Sequence, residues 1–174
     1  SQCHNNCSGK HAGFLTCSKF LRAGPEYIDP DHPVQRAVLA AHNEVTGEES
    51  PLFGIDGCSA PNFAMPLSKL ARGYARLASG AQDPEFGASF DLLSEAMTAY
   101  PEMVSGTGRN DLALMRAGRG DWISKIGADG VQVLASKSRG EAFAIKISDG
   151  NKPALYAATI AVLAQLGWMD AAQS

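Results

Sequence analysis

The sequence predicts an α+β fold in which a helical region is followed by a three-stranded antiparallel meander and a C-terminal helix. Apolar residues recur at helical spacing through most of residues 1–120. Residues 121–147 contain short segments that alternate apolar and other side chains between glycine turns. Because helices and strands come in separate runs, an α+β architecture is favoured over an alternating α/β one. We expect residues 1–174 to belong to a single domain, mainly helical over 1–120, with the meander and terminal helix over 121–174.

The first 120 residues carry five helical patterns, most of them bounded by proline or glycine. The first begins near His11 and continues through residues 16–23, and its apolar residues predict that it is buried. The other four are predicted from Pro33 to Gly47, from Leu67 to Gly80, around Phe90 to Met97, and over Asn110 to Arg116. Residues 48–63 have no period and many turn formers, so we expect a loop that carries Asp56 and Cys58.

Three strand patterns follow, over residues 122–125, 131–136 and 141–147. Their alternation predicts an antiparallel meander with one buried face, and Ser138-Arg139-Gly140 is its tightest turn. A last amphipathic helix is predicted between Asn151 and Gly167.

Composition excludes several classes of function. The net charge is −3 and no long basic run occurs, which argues against a nucleic-acid or anionic-membrane surface. No apolar segment is long enough to span a bilayer, and no signal peptide opens the chain. The four cysteines, Cys3, Cys7, Cys17 and Cys58, lie in the first third of the chain. In a domain of this size they indicate reduced thiols in a cytoplasmic protein rather than a disulfide framework.

Cys7, Lys10 and Cys58 are the main candidates for a metal site. A Cys-x-x-Lys at a tight loop or first helical turn can aim both side chains at one point. Thiolates are strong zinc ligands, and a nearby metal can hold a lysine amine in its neutral, ligating form. Core packing is the competing interpretation, since free cysteines are often buried and the spacing matches no standard zinc motif.

Four sequence blocks connect this polar motif to a known family. They are His4-Asn5-Asn6-Cys7-Ser8-Gly9-Lys10-His11-Ala12-Gly13, the run from Gly54 to Leu67 with Asp56-Gly57-Cys58, Gly106-Thr107-Gly108-Arg109, and Ser124-Lys125-Ile126-Gly127-Ala128-Asp129-Gly130. Together they resemble the bacterial L-asparaginase II family, which includes thermolabile rhizobial asparaginases. The resemblance implies hydrolysis of L-asparagine to L-aspartate and ammonia, with glutamine or another small amide as the alternative substrate.

The resemblance also implies a fold and a set of site residues. The C-terminal region is similar to the serine β-lactamase and penicillin-binding architecture, in which a Lys-[Ser/Thr]-Gly box lies on the first strand of the meander. Lys125-Ile126-Gly127 stands at that place, with Ile126 replacing the hydroxyl residue. Cys7, Lys10 and Cys58 match the family's zinc pocket, and Lys125 matches the lysine that faces the catalytic serine.

The nucleophile that this chemistry needs is not found in the chain. In the β-lactamase-like group it is the serine of a Ser-x-x-Lys box, and no serine here is followed by lysine three places later. We therefore expect the chain to be the C-terminal half of an enzyme whose N-terminal half supplies the serine. Alone it should be inactive, and we expect it to pair with that half or to form a homodimer.

Four further residues flank the expected site. Asp56 is expected to bind the substrate's α-amino group or to stabilise the loop as an Asx turn. His4 and His11 are expected to be orienting groups rather than bases, because the family base is a lysine, and His11 is also expected to bind substrate. Arg109 is a helix-start ion-pair partner or a substrate contact. Two other functions stay open: a non-catalytic module stabilised by zinc, and an N-terminal-nucleophile hydrolase that uses Ser1.

Overall fold

The computed structural model describes Asn5 and residues 7–169. Ser1, Cys3 and His4, which the sequence singles out, lie outside the described residues. The chain divides into two compact units, Ser1–Pro66 and Leu67–Ser174. The expectation that all 174 residues form one domain stays a prediction.

The first unit opens with α1 (Ser8–Phe20), whose first turn is formed by the polar motif itself. Cys7 occupies the N-cap position, and its carbonyl accepts the backbone N–H of His11 at 3.0 Å. The helix starts three residues earlier than predicted. The prediction that it is buried is wrong, because Ser18 is its one buried residue and the Phe20 side chain is 84% exposed.

α2 (Pro33–Thr46) follows, as its proline start and glycine end predict. His32 caps it, since its ring Nδ1 accepts the backbone N–H of Val34 at 3.2 Å. The helix ends at Gly47, whose left-handed φ of 63° suits a residue without a Cβ.

Residues 48–63 are not a plain loop, which corrects the prediction. Strands β1 (Phe53–Ile55) and β2 (Pro61–Phe63) pair antiparallel, with Phe53 opposite Phe63. The base of this hairpin is held by Ser50, whose hydroxyl donates to the carbonyls of Leu52 at 3.0 Å and Ala64 at 2.6 Å. Three-residue strands carry too little alternation for sequence periodicity to reveal them.

The second unit begins with helices and ends with the sheet and a last helix. Its helices are α3 (Leu67–Ser79), α4 (Gly87–Ala99), α5 (Pro101–Ser105), α6 (Asn110–Ala117) and α7 (Lys152–Gln165), with a short 3-10 turn at Gly80–Gln82. Four of the five helices confirm predicted ones, and α5 was not predicted. The part of this unit that is described contains one three-stranded sheet, β3 (Trp122–Gly127), β4 (Val131–Ser136) and β5 (Glu141–Lys146), in that order.

The antiparallel meander is confirmed, but the prediction of a single buried face is wrong. On one face Trp122 and Leu134 pack with Leu163 of α7 and Leu114 of α6. On the other face Ile123 and Ala135 pack with Ala78 of α3, joined by residues of α3 and α4. The sequence pattern did not reveal the second buried face, because its residues in β4 and β5 include small alanines that do not stand out as core residues. In the structure a helix covers them.

A buried carboxylate ties α6 to the edge strand β3. Asp111 is 0% exposed and accepts hydrogen bonds from the Ser124 hydroxyl at 2.7 Å, the Ile126 backbone N–H at 2.9 Å and the Gln132 side-chain amide at 3.0 Å. The bonds to Ser124 and Ile126 hold the two residues that flank Lys125. Within the described residues, none of the helices has the length and apolar character needed to cross a bilayer.

Candidate functional site

The start of α1 and the loop of the β1–β2 hairpin bring together three groups that could bind a metal ion. The ligand atoms of Cys7, Asp56 and Cys58 all lie within 4.8 Å of one another. Cys7 is 49 residues from Asp56 and 51 from Cys58, so the hairpin loop completes the cluster. Cys7, Cys17 and Cys58 are all free thiols.

Local hydrogen bonds give the hairpin loop its shape. The backbone N–H of Asp56 donates to the Ala60 carbonyl at 2.9 Å, and that of Ser59 donates to the Asp56 carbonyl at 2.9 Å. The Asp56 carboxylate also accepts the Gly57 N–H at 2.8 Å. Ser59 has a positive φ of 70°, which closes the turn at a cost in backbone strain. This loop therefore holds Asp56 and Cys58 on one side of the hairpin.

Lys10 joins the cluster through an ion pair. Its Nζ lies 3.2 Å from Oδ2 of Asp56, with side chains 37% and 33% exposed. Partial burial acts to lower the pKa of Lys10, but hydrogen bonds to Cys58 and Asp56 outweigh it and raise the pKa. The Lys10 ammonium and the Gly57 N–H in turn lower the pKa of Asp56.

The pKa values of the two thiols are shifted in opposite directions. Burial acts to raise the pKa of Cys58, but the neighbouring His11 side chain, the Ala60 backbone N–H, Cys7 and Lys10 favour the thiolate and lower the pKa to about 7. Burial raises the pKa of Cys7, as does its hydrogen bond to Cys58. Cys58 is therefore the more acidic thiol of the pair.

His11 lies one turn into α1 and is held by an aromatic contact. Its Nδ1 lies 2.8 Å from the Tyr27 hydroxyl, and its ring meets those of Phe14 and Tyr27 edge to face. Its Nε2 is buried and makes no close hydrogen bond within the described part of the chain.

The chemistry of this donor set fits a thiophilic divalent metal. Two thiol sulfurs converge with a carboxylate oxygen, and an amine is 3.2 Å from that oxygen. Soft sulfur with nitrogen or oxygen donors suits zinc better than magnesium or calcium. The cluster could therefore bind a metal ion.

The remaining candidates belong to the second unit. Lys125 lies on β3, the first strand of the meander, and its Nζ donates to the Ile126 carbonyl at 2.6 Å. Arg109 is exposed at the N-cap position of α6. The expectation that Lys125 faces the Cys7–Lys10 segment stays a prediction.

Sequence reasoning missed Tyr27 and Asp111. Tyr27 lies in a turn-rich segment without periodicity, and only folding brings its hydroxyl to His11. Asp111 falls inside the predicted helix from Asn110 to Arg116, while the structure uses it as a buried acceptor for three donors. A buried acidic residue beside the Lys-x-Gly box leaves no distinctive pattern in the sequence.

Comparison with known proteins identifies the family. The protein-family model described as L-asparaginase II matches residues 1–174. No curated protein matches the chain.

Proposed function

Because the chain belongs to the L-asparaginase II family, we propose that it is part of an amidohydrolase that converts L-asparagine to L-aspartate and ammonia. The family match over the full length of the chain is the observation that carries this proposal. The cluster of Cys7, Lys10, Asp56 and Cys58 adds support, because it contains the three residues that the resemblance assigns to a metal pocket.

In our proposal the nucleophile lies on a segment that precedes Ser1. Amide hydrolysis needs an activated nucleophile and a group that stabilises the oxyanion. The sequence contains no Ser-x-x-Lys box, so this chain supplies the metal pocket and Lys125 but not the attacking serine. The relation to the serine β-lactamase architecture is supported by the order of helices, meander and terminal helix.

Cys7, Lys10 and Cys58 would hold the zinc ion in this enzyme. When bound, zinc would supply positive charge that polarises or orients a neighbouring polar group. Lys10 can ligate only as a neutral amine, and it now forms an ion pair with Asp56. Its release from Asp56 on metal binding would leave the carboxylate free to accept another ammonium group.

Once Lys10 is released, Asp56 would be free to bind the substrate. A carboxylate that holds the Lys10 ammonium at 3.2 Å has the charge and reach to hold the α-amino group of L-asparagine. Lys125 would act as the catalytic-site lysine that faces the serine, and its charge would orient the substrate carboxylate. Arg109 and His11 are further candidates for contacts with the substrate.

The direct test is ammonia release from L-asparagine. We expect no turnover by this chain alone and turnover when the N-terminal half is present, with L-glutamine as the comparison substrate. Turnover by the chain alone that is abolished by Cys7→Ala would contradict the proposal that the N-terminal half supplies the nucleophile. It would place the nucleophile in this sequence.

A non-catalytic, zinc-stabilised module is the second candidate. It is supported by the way Cys7 and Cys58 bring the start of α1 to the hairpin loop, which a metal could pin. Zinc that raises the melting temperature of the intact protein, without any amidase activity in it, would favour this function. We also propose a homodimer in the cytoplasm, which light scattering and fractionation would test.

A further inference from the structure

β3 lies at one edge of the three-stranded sheet, because the described strands follow the order β3-β4-β5. Its backbone pairs with β4 on one side, and the polar groups on its other side need partners elsewhere. At Ile126 two side chains supply them. The Ile126 N–H donates to Oδ2 of Asp111 at 2.9 Å, and the Ile126 carbonyl accepts Nζ of Lys125 at 2.6 Å. One residue of the edge strand therefore joins a buried carboxylate to the lysine of the Lys-x-Gly box.

The Asp111 carboxylate is held in one orientation by its other partners. Its Oδ1 accepts the Ser124 hydroxyl at 2.7 Å and the Gln132 side-chain amide at 3.0 Å. The Gln132 amide also donates to the Ser124 hydroxyl oxygen at 3.0 Å, so the three fully buried side chains bond to one another. A carboxylate that only accepts satisfies these donors and the Ile126 N–H together. Oδ2 is therefore kept directed at the Ile126 backbone.

A second aspartate of this unit, Asp121, accepts the same two kinds of donor. It comes directly before β3, and its carboxylate accepts the Ser136 hydroxyl and the Ser138 backbone N–H, each at 2.6 Å. These bonds tie the start of β3 to the end of β4 and to the turn that follows it. Neither of them involves Lys125 or a residue next to it. Asp121 therefore anchors the strand without a bond that leads to the lysine, as the bond of Asp111 does.

We propose that Asp111 is a positioning residue for Lys125: its bond to the Ile126 N–H fixes the residue whose carbonyl holds the lysine ammonium. The inference rests on the proposed function, in which Lys125 faces the attacking serine. A lysine side chain is a flexible four-carbon stem, and the bond to the Ile126 carbonyl selects one of its many conformers. Movement of the edge backbone would move that carbonyl and the ammonium with it. A displacement of about 1 Å in a catalytic site can lower the rate about 100-fold.

The bond between Asp111 and Ile126 can be measured without any enzyme activity. Amide hydrogen exchange of the protein labelled with ¹⁵N-isoleucine follows each isoleucine N–H, and the signal lost in Ile126→Val identifies Ile126. We expect this amide to be protected although its strand lies at a sheet edge. In Asp111→Asn its exchange should be about 10-fold faster, because Asn either turns its NH₂ group toward Ile126 or offers an uncharged oxygen, which binds the N–H less strongly. Asp121→Asn should leave the exchange of Ile126 unchanged.

The activity of the assembled enzyme separates positioning from folding. Asp111→Asn should lower kcat/KM for L-asparagine by about 10-fold to 100-fold. The same substitution made in Lys125→Ala should lower kcat/KM no further, because Asp111 acts through the lysine that is already removed. Asp121→Asn is the matched control, since it weakens the same two kinds of hydrogen bond. It should keep the kcat/KM of the unmodified enzyme even where its melting temperature falls.

Two results would overturn the inference: an unprotected Ile126 amide in the unmodified protein, or effects of Asp111→Asn and Lys125→Ala on kcat/KM that multiply in the double variant. The first needs no variant of Asp111 and holds even if Asp111→Asn does not fold. Failure of the proposed function has a different signature. If the assembled enzyme releases no ammonia from L-asparagine, or Lys125→Ala retains its turnover, the proposed role of Lys125 is wrong. The exchange of Ile126 then still decides whether Asp111 holds the strand.

Discussion

At the scale of single residues, the cysteines of α1 differ in what they can do. Cys7 stands at the helix start beside Cys58, while Cys17 lies on the same helix outside the cluster. Both are partly buried free thiols, so burial alone does not separate a ligand from a packing residue. Proximity to a second thiol and a carboxylate is what makes Cys7, rather than Cys17, a candidate metal ligand.

Removal of either clustered thiol should abolish tight metal binding. We expect Cys7→Ser and Cys58→Ser to lower Zn²⁺ affinity by more than the roughly 100-fold that loss of an outer-shell partner causes, because a hydroxyl is a poor zinc ligand. Cys17→Ser is the control and should bind like the unmodified chain. The Co²⁺-loaded chain offers a second measurement, since thiolate charge-transfer bands should vanish in the two site variants only. Equal affinity in all three variants would contradict the site.

Asp83 shows how a buried ion pair makes stability depend on pH. Its carboxylate, 2% exposed, accepts Arg76 Nε at 2.7 Å and the Phe86 N–H at 2.8 Å. Hydrogen bonds from Arg76, with backbone N–H groups of Phe86 and Glu85, lower its pKa from 3.8 to about 2. A lowered folded-state pKa stabilises the protein above the unfolded-state pKa, and this stability is lost as pH falls through about 2.

We therefore expect the free energy of unfolding to fall by about 2 kcal/mol from this group alone between pH 5 and pH 2. Asp83→Asn should remove that part of the pH dependence, as measured by urea unfolding at a series of pH values. Glu141→Gln, a change at an exposed position of β5, should leave the profile as it is. A profile in Asp83→Asn as steep as in the unmodified chain would show that Asp83 does not carry the effect.

At the scale of elements, the turn between α6 and β3 requires the backbone at Gly118 to lie close to the Trp122 side chain. Gly118 ends α6, and a Cβ built on it would lie 2.4 Å from Cγ of Trp122. Trp122 is in turn packed against Leu114 and Leu134 in the core. The indole cannot retreat without disturbing those contacts, so the glycine is needed for space rather than for an unusual φ.

Gly118→Ala should accordingly destabilise the protein by about 2 kcal/mol through overpacking. Gly13→Ala is the matched control. It places the same methyl group in α1, where nothing lies within 4 Å, and should stabilise the helix by about 0.5–1 kcal/mol. Thermal unfolding of the two variants should shift in opposite directions. A stabilised Gly118→Ala variant would mean that the Trp122 side chain moves freely.

At the scale of the whole molecule, the role that we propose for Lys125 can be tested only in the assembled enzyme. The Asp111 hydrogen bonds to Ser124 and to the Ile126 backbone hold β3 on either side of it. In the assembled enzyme we expect Lys125→Ala to lower kcat/KM by at least about 100-fold, with little change in melting temperature, because a positioned charge or proton-transfer group contributes that much. Lys146→Ala, on the same face of the sheet, should retain activity. Near-normal turnover in Lys125→Ala would remove Lys125 from the site.

Much of the architecture follows from the sequence by itself. Helical periodicity with proline and glycine boundaries is enough for α2, α3 and α7, and period-two alternation is enough for the meander. The Cys7–Lys10 and Asp56–Cys58 motifs also identify the family and the site candidates before any coordinates are considered. These are local patterns, in which each residue's role depends on neighbours a few positions away.

Other features were decided by tertiary structure, because they depend on residues far apart in the chain. The hairpin around Asp56 forms through strands too short to show a period, and the sheet buries a second face behind small alanines. Tyr27 reaches His11 across 16 residues, Asp111 reaches Gln132 across 21, and Lys10 meets Asp56 across 46. Local propensity says nothing about such pairs, since their energy comes from burial and hydrogen bonding that exist only once the chain is folded.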